Sequence, residues 1–170
     1  MVRHKLIIRD VCESDLSSLK FLLSQLRGYV PWEEDQEGKA QQILSDAILN
    51  PLRSILIAES EGEPVGTADL TIVENLTRGL KPWGVIENIV VDKHCRSAGI
   101  GRELLEAATS VAANHGCYKV ELISAAHRVI AHKLYEQAGF DAEVRGYRKY
   151  LLDLKYGPSS ESHSYISGRA

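Results

Sequence analysis

The chain has 170 residues, 44% hydrophobic and 25% charged, with a formal net charge of −3: the make-up of one soluble domain around a single core. Negative net charge excludes a general attraction to nucleic acid, and no stretch approaches the ~18 uninterrupted apolar residues of a membrane helix. Met1–Asp10 has charge on both sides of a very short apolar run, unlike a secretory leader, so a cytoplasmic location is expected.

In chain order, Leu6–Ile8 reads as a first strand. Ser14 is a candidate N-cap for a helix whose stripe is Leu16, Leu19, Leu23 and Leu26. Gly28–Pro31 breaks it. A second helix carries Ala40, Ile43, Leu44, Ala47 and Ile48 on one face and ends near Asn50-Pro51. Ser54–Ala58 and Val65–Val73 flank Glu61-Gly62-Glu63-Pro64 as an antiparallel hairpin. Asn75–Gly84 reads as an irregular loop and Val85–Val91 as the strongest strand. Gly99–His115 is a helix, Tyr118–Ile123 a strand, and Val129–Ala138 a helix stopped by Gly139. Tyr147–Leu154 is expected to be the last strand. The fold class is α/β: a mixed, largely antiparallel sheet with helices on both faces. One domain is expected over residues 1–156, with a flexible tail over 157–170 rich in Gly and Ser.

Cys12, Cys95 and Cys117 form no CxxC pair and no His/Cys cluster, so reduced thiols and no metal are expected. Cys95 beside a helix start is a candidate reactive thiol, but nothing marks a partner base.

The informative segment runs from Val85 to Gly101. A strand enters a glycine-containing loop, Lys93-His94-Cys95-Arg96-Ser97-Ala98-Gly99-Ile100-Gly101, which opens a helix. A helix start offers free N–H groups and partial positive charge, so it favours phosphate. Gly99 and Gly101 admit close approach of a ligand, and Arg96 and Arg102 add charge. The loop lacks the Gly-Lys-Ser/Thr of a nucleoside triphosphate loop. Leu104 stands where a dinucleotide loop would want its third glycine.

Arg96-x-x-Gly99-x-Gly101 resembles the pyrophosphate loop of the Gcn5-related N-acetyltransferase (GNAT) superfamily. Ala131-x-x-x-Tyr135-x-x-x-Gly139-Phe140 resembles its second signature. The element order is similar too, so the resemblance covers about residues 5 to 154. It implies the acyl-CoA N-acyltransferase fold, acetyl-CoA as co-substrate and a primary amine of a small molecule or peptide as acceptor. Nucleic acid and membrane are not expected partners. A homodimer through the final strand is a further expectation. Backbone groups of Ile89, Val90 and Val91 would pair with the pantetheine arm. N–H groups from Arg96, Ser97, Ala98, Gly99, Ile100, Gly101 and Arg102 would cradle the pyrophosphate. Tyr135, with a reference pKa of ~10, is suited to protonate the departing thiolate.

The attacking amine must lose a proton, and Glu87 is the first candidate base; in a strand it faces opposite to Asn88, so one of the two points at the substrate. Arg128 stands seven residues before Tyr135, where many relatives carry Asn. Arg128 then contacts cofactor or substrate differently, or Ser124 fills that role. Tyr29, Trp32 and Trp83 lie in loops that wall the acceptor pocket in this superfamily, and Arg78, Lys81 and Asn75 make the second of these loops positive. The runs Ile86–Asp92 and Gly116–Lys119 resemble those of glucosamine-6-phosphate acetyltransferases, a pattern that generic bacterial members of the superfamily largely share, which makes these enzymes the runner-up reading. A non-catalytic acyl-CoA sensor is the alternative outside enzymes.

Overall fold

Glu61 and Gly62 both adopt positive φ, 56° and 83°, the two-residue turn whose twist matches that of the strands it joins. This sets the hairpin of β2 (Arg53–Ser60) and β3 (Glu63–Val73). The computed structural model describes residues 6–26, 32–144, 146–149 and 151. Around the hairpin are β1 (Leu6–Asp10), α1 (Leu16–Leu23), α2 (Glu37–Leu49), β4 (Trp83–Val91), α3 (Ile100–Asn114), β5 (Val120–Leu122) and α4 (Val129–Gln137). The sheet order is β1-β2-β3-β4-β5. The first three pairings are antiparallel and β4–β5 is parallel, with α3 as the crossover that a parallel pair requires.

Alternation along β2 and β3 feeds two cores. Leu56, Ala58, Ala68, Leu70 and Ile72 pack against Ile100, Leu104, Leu105, Ala108 and Ala112 of α3. Ala131, Leu134, Tyr135 and Ala138 of α4 join them on that face. Ile57 and Val90 face the other way, onto Leu19 and Leu22 of α1 and Leu44 of α2. Helices thus cover both faces. Each fully buried Leu contributes roughly 1.5–3 kcal/mol relative to exposure, so Leu22 and Leu104, both at 0% exposure, are the principal anchors of the two layers.

Three local expectations change. Ser14 is not the cap of α1; it lies in a short 3-10 turn, Glu13–Asp15. Asp15 instead accepts the Cys12 N–H at 2.8 Å, because its carboxylate is held in place by Arg9. On α2 only Leu44 and Ala47 are buried, while Ile43 and Ile48 are exposed at the edge of the buried stripe. The expected strand over 147–154 is not formed by residues 147–149 or 151; a Cβ at Gly146 would lie 3.8 Å from Ile123 Cγ1. The rest of that segment, Tyr29 and the 157–170 tail lie outside the described residues.

Candidate active site

The site begins with an irregularity in β4. Thr67 pairs with Val90, but two residues on Asp69 pairs with Glu87. One extra residue is therefore inserted on β4, a bulge, and Asn88 occupies it with φ of 52°. Asn side chains tolerate this left-handed conformation better than most. Both Glu87 and Asn88 are exposed.

β5 pairs with β4 from Gly84 to Ile86. Beyond Ile86, β4 continues to Val91 without a strand on that side among the described residues. The Asp92 N–H bonds the Val65 carbonyl at 2.9 Å, which fixes the phase of the ladder. Val90 exchanges its backbone bonds with Thr67, and Val91 turns its N–H and C=O away from β3, into the gap. Ile89, whose side chain shares a face with that of Val91, is turned the same way. Of the three residues expected to pair with a pantetheine arm, Ile89 and Val91 therefore offer their backbone to the gap. Val90 does not. The Val91 carbonyl is capped by Arg96 Nε at 3.1 Å.

The β4–α3 loop follows. Gly99 is the N-cap of α3 with φ of 86°, and no side chain caps the helix. Its first N–H groups are consequently open to an anion. Space around Gly99 is free within 4 Å, so backbone conformation is what demands glycine there. Gly101 differs: a Cβ would lie 3.1 Å from Leu134 Cδ2 of α4. Its small size brings α4, and with it Tyr135, against the start of α3. Arg96, Ser97, Ala98 and Arg102 are exposed around this helix start, Ser97 with φ of 67°, while Ile100 is buried. Arg102 bonds Glu106 at 2.7 Å, which holds its guanidinium above its ordinary range.

The loop is braced from behind. Asp92 accepts the His94 N–H at 2.8 Å, and Gln25 at the end of α1 bonds both the Asp92 carboxylate (3.3 Å) and the Lys93 N–H (2.9 Å). The His94 amide, followed by Gln25, holds the Asp92 carboxyl below its ordinary range. No sequence pattern marks Gln25; the contact spans 67 residues.

Tyr135 is 8% exposed and meets Phe140 edge-on, with ring centroids 6.3 Å apart. Its hydroxyl has no hydrogen-bond partner among the described residues, yet it is not sealed from solvent. Ser124 Oγ, just beyond β5, is a buried polar atom with no partner among the described residues. Such an atom is costly unless a ligand or water reaches it. Arg128, by contrast, is exposed at the N-cap of α4.

Trp83, Val85 and Glu87 alternate on the α1/α2 face of β4, and Lys119 lies over the Trp83 ring at 6.0 Å. Trp32 donates its indole N–H to Glu37 at 2.6 Å and stacks under Lys20 at 4.9 Å. These contacts tie the segment before α2 to α1. Among the described residues no group of three or more His, Cys, Asp or Glu is placed to hold a metal ion, and no helix is long and apolar enough to cross a membrane.

An open strand edge, an uncapped helix start and an orphaned hydroxyl suit a long ligand bearing a diphosphate. The model of the acetyltransferase (GNAT) family matches residues 19–140. The chain belongs to that family. It is similar to a glucosamine 6-phosphate N-acetyltransferase of Trypanosoma brucei brucei, 33% identical over 147 residues, covering 86% of this chain and 95% of that protein. An uncharacterized N-acetyltransferase of Bacillus subtilis is 30% identical over 86% of this chain and 97% of its own length. A putative acetyltransferase structure from Agrobacterium tumefaciens superposes with a TM-score of 0.78 at 33% identity, covering 85% and 99% of the two chains. As a GNAT protein the chain is an acetyl-CoA-dependent N-acetyltransferase.

Proposed function

We propose that the protein transfers the acetyl group of acetyl-CoA directly to the primary amine of a small molecule, with Glu87 as base and Tyr135 as general acid. The carrying observation is the gap beside β4. It opens past Ile86, with the free Tyr135 hydroxyl on the α3/α4 side and Glu87 on the α1/α2 side. The pantetheine arm runs along Ile89 and Val91 as an added strand, displacing Arg96 from the Val91 carbonyl. Its pyrophosphate sits on the N–H groups from Arg96 to Gly101, since the Arg102 N–H donates to the Gly99 carbonyl at 3.0 Å, and Ser124 Oγ bonds the arm in place of the Asn that Arg128 supplants.

In this reading the amine nitrogen attacks the thioester carbonyl carbon. The N–H proton passes to Glu87, directly or through one water. The C–S bond breaks, and the thiolate takes the Tyr135 proton. Trp83, on the same face as Glu87 and four residues away, lies ~13 Å along the strand and walls the far end of the acceptor pocket.

The acceptor class best supported is an aminosugar, on the 33% identity to a protein named for glucosamine 6-phosphate. Calorimetric titration of acetyl-CoA, then thiol release across amines that include glucosamine 6-phosphate, tests the proposal. Binding with release supports it; binding without release from any amine argues against catalysis at this site. Glu87→Gln with undiminished turnover would remove Glu87 as base, and Tyr135→Phe likewise for the acid.

A further inference from the structure

Arg96 occupies the stretch of β4 that a pantetheine arm would pair with. Its Nε donates to the Val91 carbonyl at 3.1 Å, five residues back along the chain. Val91 turns its backbone to the gap, because the residues on either side of it, Val90 and Asp92, spend theirs on β3. The loop that carries Arg96 is already set. Asp92 holds it through the His94 N–H at 2.8 Å and, from its backbone carbonyl, through the Cys95 N–H at 2.9 Å. Gln25 holds the Lys93 N–H at 2.9 Å. A ligand at this edge therefore has to move the Arg96 side chain rather than the loop. That side chain is exposed and makes no other hydrogen bond or ion pair among the described residues. It also has a second destination. Arg96 stands three residues before Gly99, the uncapped start of α3. The other arginine of the loop, Arg102, is held by Glu106 at 2.7 Å. A guanidinium binds phosphate through paired, charge-assisted hydrogen bonds, which a single bond to a carbonyl does not match.

We propose that Arg96 is a specificity-determining residue for the acyl donor: it yields the pantetheine edge to thioesters that also carry a diphosphate, and resists those that carry the arm alone. The inference deepens the reading of the gap as the acetyl-CoA site and rests on it. With a complete donor, Arg96 exchanges one partner for another. An amide N–H of the arm replaces Nε at the Val91 carbonyl, and the guanidinium turns to the diphosphate. A pantetheine thioester without the diphosphate takes the same carbonyl but leaves the guanidinium only water. The two halves of the cofactor are thus coupled through one side chain, each favouring the other.

The test compares pantetheine, adenosine 3′-phosphate 5′-diphosphate and coenzyme A by calorimetry and by NMR shifts of backbone amides, none of which needs an acceptor. Arg96→Ala should bind pantetheine roughly 3- to 10-fold more tightly, the contribution of one hydrogen bond no longer broken. It should bind the diphosphate half more weakly, so that the preference for coenzyme A over pantetheine falls at least about threefold. Arg96→Lys keeps the charge without the planar fork; it should also gain on pantetheine while holding the diphosphate half near wild type. A side chain that only braces the loop would weaken all three ligands together, or lower the melting temperature and leave the preference unchanged. Either result overturns the proposal, as does pantetheine binding that fails to tighten in Arg96→Ala. The underlying reading is judged separately. If the wild-type protein does not bind coenzyme A, the assignment of the gap fails and the role of Arg96 falls with it. If it binds coenzyme A and the variants keep its preference, the role of Arg96 alone is wrong.

Discussion

Ile86 and Val90 lie four residues apart on β4 yet bury on opposite faces of the sheet, Ile86 against α3 and Val90 against α1. Strict alternation would put them on the same face. The extra residue at Asn88 reverses the phase. It lets one strand serve both cores, and it comes where β4 leaves β5 and the backbone turns toward the gap. The bulge therefore belongs to the site's architecture.

Asn88→Gly should preserve the bulge, since glycine adopts positive φ freely, and shift stability by less than about 1 kcal/mol. Asn88→Val should cost roughly 1–2 kcal/mol and weaken acetyl-CoA binding as the strand straightens. Urea unfolding and calorimetry measure both. Equal midpoints for the two variants would mean that φ at residue 88 does not matter.

The glycines of the phosphate loop should separate by mechanism. Gly99→Ala meets no atoms but requires φ of 86° of an alanine, a cost of about 1–2 kcal/mol, felt mainly as weaker cofactor binding. Gly101→Val pushes against Leu134 and so displaces the helix that carries Tyr135. It should lower turnover at saturating cofactor more than Gly99→Ala does. Steady-state kinetics at saturating and limiting acetyl-CoA distinguish the two patterns.

Much of the fold was legible because hydrophobic period and turn chemistry agree: Leu19 with Leu23, the Glu61-Gly62 turn, and Ile100 with Leu104. The phosphate loop was legible because strand, glycine and helix follow one another within a few residues. Other features depend on registers and distant contacts. Nothing in the run Val85–Val91 reveals that Asn88 is inserted, since a bulge is defined by the partner strand. Asp69 looks like a solvated strand residue until Arg53 and Glu87 stand beside it. For the same reason Val90 reads as equivalent to Ile89 and Val91, although its backbone is spent on Thr67.

Acid should loosen the β1–α1 corner. Arg9 donates to both oxygens of Asp15, and this pair, ahead of the Cys12 amide, lowers the Asp15 pKa to about 2 from a reference of 3.8. A folded-state value below the unfolded one adds stability that is complete above about pH 4 and is lost as pH falls toward 2. Arg9 is about one-third exposed, so solvent screening leaves on the order of 1 kcal/mol. Asp15→Asn should melt lower than wild type at pH 6, with the gap narrowing through pH 3 and closing only as pH falls below about 2. A gap that stays constant across this range would count against the linkage.

Gln25 ties α1 to the phosphate loop through Asp92 and the Lys93 amide, so it should act on cofactor binding without touching the acetyl group. Two hydrogen bonds of this kind contribute roughly 1–2 kcal/mol together. Gln25→Ala should weaken binding of coenzyme A by roughly 3- to 10-fold, with turnover at saturating cofactor changed less than twofold. Gln25→Glu should be worse, because it sets a second carboxylate against Asp92 and removes the amide that Asp92 accepts. Calorimetry with coenzyme A alone reads this directly, and the melting temperature separates loop positioning from general loss of stability. If Gln25→Ala melts lower but binds coenzyme A as wild type does, the brace holds α1 in place and contributes nothing to the loop's grip on the diphosphate.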